Sequence, residues 1–137
     1  MSEYDRWEGR YAVPEYAFGK EPNYFLASCK ALLPSSGRAL AVADGEGRKR
    51  KWAGMRRALR PGGFLIIHGY TPKQLDYGTG GPKQIENLYT RAMLEAAFKD
   101  FTDMRIVEEE REIHEGASHG GMSAVIGLTA RKPSAAE

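Results

Sequence analysis

Across residues 21–33 (EPNYFLASCKALL) the apolar positions Phe25, Leu26, Cys29, Leu32 and Leu33 recur at three- and four-residue intervals, the period of one buried helix face. The spacing predicts a helix from Tyr24 to Leu33, ended by Pro34, with Cys29 as a small core residue. Ala39 to Ala43 is apolar at consecutive positions, the pattern of a short strand covered on both faces. After the turn Asp44-Gly45-Glu46-Gly47, the residues Trp52, Met55 and Leu59 recur at helical spacing and predict a helix from near Arg48 to Leu59. Arg60-Pro61-Gly62-Gly63 breaks that helix, and Phe64 to Ile67 reads as a second apolar strand. Strand, helix and strand in this order form a βαβ unit with a right-handed crossover, the helix being about 18 Å long.

Residues 70–89 are rich in glycine and proline and read as a loop. Thr90 is placed to cap a helix running through Phe98, with Met93, Leu94, Ala97 and Phe98 apolar. Met104 to Ile113 and Met122 to Ala130 are the remaining strand candidates, and the short link between them predicts an antiparallel hairpin. The pattern is that of an open α/β sheet with helices on both faces and the last strand inserted antiparallel.

The chain has 137 residues and is 42% hydrophobic, enough for one core, so a single domain over 1–137 is expected: an N-terminal arm and helix over 1–35, then an α/β core over 36–137. A lone cysteine excludes an internal disulfide framework and, with no apolar run at the N-terminus, makes a cytoplasmic protein the expectation. No stretch approaches the roughly 18 consecutive apolar residues of a membrane span. A net charge of +2 does not call for a polyanionic partner. Residues 48–60 concentrate seven Arg or Lys with no acid, but their one aromatic, Trp52, belongs with Met55 and Leu59 to the opposite, apolar face, so the run reads as a solvated helix face and nucleic acid is not expected. His114 and His119, five residues apart across a turn, preset no ligand geometry, and no metal is expected.

Four blocks resemble class I S-adenosylmethionine-dependent methyltransferases, in particular the small tellurite-resistance and thiopurine-methyltransferase-like branch. WEGRYAVPEYAFGKEPNYF (7–25) is similar to the family's N-terminal arm, and LAVADGEGR (40–48) to its glycine motif. LRPGGFLII (59–67) resembles the turn and strand after the domain's midpoint. GYTPKQLDYGTGGPKQIENLYT (69–90) and EREIHEGASHGGMSAVIGLTARKP (110–133) resemble its C-terminal part. The segment between the glycine motif and the PGG turn is missing. A family sheet ordered 3-2-1-4-5-7-6 would thus reduce to 1-5-7-6, a shortened Rossmann-like sheet.

The resemblance implies cofactor contacts from Tyr16 and Gly19 in the arm and from Asp44, Gly45, Glu46, Gly47 and Arg48 in the glycine loop. It implies an acceptor side at Tyr70, Tyr77, His114 and His119, and names no catalytic residue. Two departures bear on S-adenosylmethionine. Ala41 and Ala43 stand where the family often has an acid and its first glycine, and residues 48–74 contain no Asp or Glu to accept from the ribose hydroxyls. The expectation is a methyltransferase-like protein whose cofactor site is reduced, with binding by a lone chain weak or lost and activity left open. The alternative is a non-catalytic dimeric interaction module derived from such an enzyme. In either case the apolar strand Ala39–Ala43 would lie at a sheet edge and invite a homodimer.

Overall fold

A computed structural model describes residues 2–14, 19–40, 48–116 and 120–134. The elements are α1 (Glu3–Tyr11), α2 (Tyr24–Ser28), α3 (Arg48–Ala58), β1 (Phe64–Tyr70), α4 (Gln74–Tyr77), α5 (Arg91–Ala97), β2 (Thr102–His114) and β3 (Gly120–Arg131). Short 3-10 turns cover Lys30–Leu32 and Ile85–Asn87. No helix among the described residues is long and apolar enough to cross a membrane.

The sheet has three strands in the order β1-β3-β2, and both pairings are antiparallel. This corrects the expected Rossmann-like sheet with strand order 1-5-7-6. Ala39 and Leu40 lie in no strand, Leu40 is 72% exposed, and the rest of the Ala39–Ala43 segment falls outside the described residues. Among the described residues no parallel strand precedes α3, and the described sheet contains no parallel pair. What builds the sheet instead is the long hairpin of β2 and β3, whose register runs from His114↔Gly120 to Arg105↔Thr129 and slips at Asp103, a residue with φ of 53°.

Because β3 is central and both of its faces are covered, Ser123 to Ala130 are buried without alternation. On one face Leu65 and Ile67 of β1 join Ile126, Leu128 and Ala130 of β3 beneath Trp52 of α3, Leu94 of α5, and Tyr89, Phe98 and Phe101. Lys132 closes the C-terminus of α3: its ammonium donates to the carbonyls of Arg56 at 2.6 Å and Leu59 at 2.8 Å, where the helix dipole favours a cation.

The other face carries α2. Asn23 caps it, its side-chain oxygen accepting from the N–H groups of Phe25 at 3.0 Å and Leu26 at 3.1 Å. The expected ten-residue helix stops after five, because the Cys29 N–H is shared between the carbonyls of Phe25 and Leu26 and the chain tightens into the 3-10 turn. Only Cys29 of the apolar stripe is buried; Leu26, Leu32 and Leu33 stay 43–47% exposed. α2 approaches the sheet over Gly127, where a methyl group would collide with the Phe25 ring.

Candidate functional site

Strand alternation decides which side chains meet. Phe64, Ile66, His68 and Tyr70 of β1 lie opposite the core face, in rows with Arg131, Thr129, Gly127 and Val125 of β3, and these with Arg105, Val107 and Glu109 of β2. The absence of a side chain at Gly127 leaves room for Phe25 to stack on His68, with ring centroids 5.0 Å apart and planes 11° from parallel.

His68 is held from both ring nitrogens. The Asn23 amide donates to Glu115 Oε1 at 2.7 Å and contacts His68 Nδ1 at 3.2 Å. An amide nitrogen offers no lone pair, so Nδ1 is the acceptor and the imidazole proton sits on Nε2. Nε2 then donates to Tyr24 Oη at 3.3 Å, and the Tyr24 hydroxyl donates to Glu109 Oε1 at 2.6 Å. Arg111 spreads its guanidinium 3.6 Å above the Tyr24 ring and reaches Glu109 at 3.5 Å. Burial pushes the His68 pKa down to about 4, with Arg111 adding to the shift and Glu109 opposing it. Burial and the bond to Glu109 push the Tyr24 hydroxyl well above its ordinary range. At neutral pH this is a clasp of a neutral imidazole and a protonated phenol. It orients its neighbours and has no free basic nitrogen.

Of the sequence-derived candidates, Gly19 and Tyr70 come to this end of the sheet. Gly19, with φ of 77°, lies so close to the hairpin turn that a Cβ on it would stand 3.2 Å from the Gly116 amide nitrogen. Tyr70 is half-buried, and burial, helped by Glu115, pushes its pKa up to about 12. His114 falls on the opposite face by alternation, as does Glu110, to which Tyr77 of α4 reaches. The Tyr77 hydroxyl donates to Glu110, which also pairs with Lys73 at 2.8 Å, while the exposed His114 contacts Glu112 at 3.2 Å. Tyr16, Asp44, Gly45, Glu46, Gly47 and His119 lie outside the described residues, and of Arg48 only the backbone at the start of α3 is described.

Asn23, Tyr24, His68, Glu109 and Arg111 are absent from the sequence-derived site. One signal was present: in FLIIHGY, the alternation that buries Leu65 and Ile67 puts His68 on one face with Tyr70. Beside the clasp, along the same sheet face, a cavity of about 320 Å³ opens between α2, the turn after it and β2. Tyr24, Phe25, Cys29, Leu32, Val107 and Thr129 form much of its wall, with Arg105, Glu109 and Arg111 at the strand side. In the basic segment, Arg56 is committed internally, donating to Asp100 at 2.7 Å and to the Ala97 carbonyl at 2.6 Å. No protein-family model and no curated protein matches this chain.

Proposed function

We propose that the chain is a reduced methyltransferase-like protein that retains an acceptor-side cleft, and that S-adenosylmethionine binding and methyl transfer by a lone chain are weak or lost. The observation that carries this is the meeting of blocks far apart in sequence. Gly19 and Asn23 of the arm, Tyr70 of the GYTPKQ block and Glu115 of the C-terminal block converge at one end of the sheet. The 2.7 Å bond from Asn23 to Glu115 spans 92 positions. Acceptor positioning is the protein's main task in methyl transfer, so a clasp that orients and does not titrate suits it. The cofactor half is weak for a stated reason: Glu109 and Glu115, the carboxylates at this end, are already engaged by Tyr24, Arg111 and Asn23. Losing two hydrogen bonds to charged groups costs about 3–6 kcal/mol, which turns micromolar affinity into millimolar. The reading places the protein in the cytoplasm, where the buried Cys29 thiol stays reduced.

Isothermal titration with S-adenosylmethionine and S-adenosylhomocysteine tests it. The expected result is no saturable heat at ligand concentrations up to about 1 mM, and saturation below about 100 µM overturns the loss of the cofactor half.

A second reading, a non-catalytic homodimeric interaction module, is favoured by a different observation. Tyr4, Tyr11, Val13, Leu26, Leu32, Leu33 and Leu40, all in the first 40 residues, are 43–72% exposed. Apolar surface gathered in one part of a chain marks a place where another surface sits.

A further inference from the structure

We propose that the cavity between α2 and β2 is a binding site for a small organic monoanion, a carboxylate carried on a flat apolar body. The inference stands apart from methyl transfer and needs no cofactor. Charge sets the head group. Glu109 and Arg111 neutralise each other at 3.5 Å, and Arg111 is further occupied by the Tyr24 ring. Arg105 lines the same cavity and makes no hydrogen bond or ion pair among the described residues. The cavity therefore presents one uncompensated positive charge, on a guanidinium whose planar fork matches the two oxygens of a carboxylate. A phosphate dianion would bring a second charge toward Glu109 with no cation to meet it.

The walls set the body. Phe25, Leu32 and Val107 line the cavity, and Leu32, although apolar, is 43% exposed. Thr129 adds a hydroxyl from the central strand, the one position on this face of β3 that lines the cavity. A volume of about 320 Å³ lies at the lower end of the range of about 300–1,000 Å³ typical of ligand sites, which fits one or two fused rings.

The probes are 2-naphthoate, its neutral counterpart 2-naphthylmethanol, and 2-naphthyl phosphate, followed by ligand-observed NMR and titration calorimetry. Naphthoate is expected to bind with Kd on the order of 100 µM, at least about tenfold tighter than the alcohol. Arg105→Gln is expected to bring naphthoate down to the level of the alcohol, Arg105→Lys to keep part of the difference, and Val107→Trp to abolish binding of both by filling the cavity. Because the Arg105 side chain makes no hydrogen bond or ion pair among the described residues, its variants are expected to keep the wild-type circular dichroism spectrum, and Arg60→Gln serves as a charge control outside the cavity. Equal binding of naphthoate and alcohol, no binding of either, tighter binding of the phosphate, or an equal loss in Arg60→Gln would each overturn the proposal.

Discussion

His68 shows how one residue couples packing to pH. Its imidazole is neutral because burial in the clasp lowers its pKa from 6.5 to about 4. Between those values the unfolded chain binds a proton that the folded chain does not, so stability is complete above pH 6.5 and falls as the pH drops toward 4. The carboxylates held below their ordinary range, Asp100 by Arg56 and Glu110 by Lys73, lose their contribution only near and below pH 4. Thermal melts between pH 7 and 5 therefore isolate His68, and a loss on the order of 1–2 kcal/mol by pH 5 is expected in the wild type. His68→Phe should flatten that interval; a wild-type melting temperature already flat across it would remove the argument. Gly127→Ala tests the same residue through its neighbour. The added methyl displaces Phe25, which should cost about 1–3 kcal/mol and, by returning water to the imidazole, shrink the acid sensitivity as well.

At the scale of elements, α2 depends on its docking. Five residues are too few to hold a helix by backbone bonds alone, so Asn23 and Phe25 carry it. Asn23→Ala removes the cap and both amide contacts and should cost about 1–2 kcal/mol. Asn23→Asp keeps an oxygen for the cap but cannot donate to His68 or Glu115, so it should protect α2 from hydrogen exchange while freeing residues 19–23. Equal loss of protection in both variants would show that the cap alone matters. The elements legible in the sequence are those whose partners are local or strongly periodic: α3 with Trp52, α5 behind its Thr90 cap, and the hairpin of β2 and β3. Of the strand expected at Ala39–Ala43, the described residues Ala39 and Leu40 lie in none: a run of consecutive apolar residues records a need for cover on both faces, and Leu40 is 72% exposed. Likewise Leu26, Leu32 and Leu33 keep the period of a buried stripe yet stay 43–47% exposed. The clasp was illegible for another reason: positions 23, 24, 68, 109 and 115 share no spacing, and only the register of the sheet unites them.

For the whole molecule, β1 and β2 are the two flanks of the described sheet, and a homodimer, expected from the sequence at Ala39–Ala43, would find an unguarded edge at β1. The bond from the Thr71 N–H to the Ala124 carbonyl, at 3.1 Å, fixes the phase of the ladder. Leu65, Ile67 and Gly69 then bond inward to β3, while Phe64, Ile66, His68 and Tyr70 turn their backbone groups outward. The outward Tyr70 carbonyl accepts from the Tyr89 N–H at 2.8 Å, whereas those of Phe64, Ile66 and His68 have no partner among the described residues. Nothing in Phe64–His68 guards this edge: it has no proline, no lysine and no acid. A second copy pairing antiparallel about Ile66 would join two three-stranded sheets into one of six and satisfy those groups. Light scattering over a dilution series is expected to give twice the chain mass at high concentration and a fall toward the single-chain mass on dilution. Ile66→Pro removes an outward N–H that the β1–β3 ladder does not use, so it should yield a folded monomer at every concentration. A wild-type chain that scatters as a monomer throughout, or a dimer indifferent to Ile66→Pro, would mean that this edge is not where copies meet.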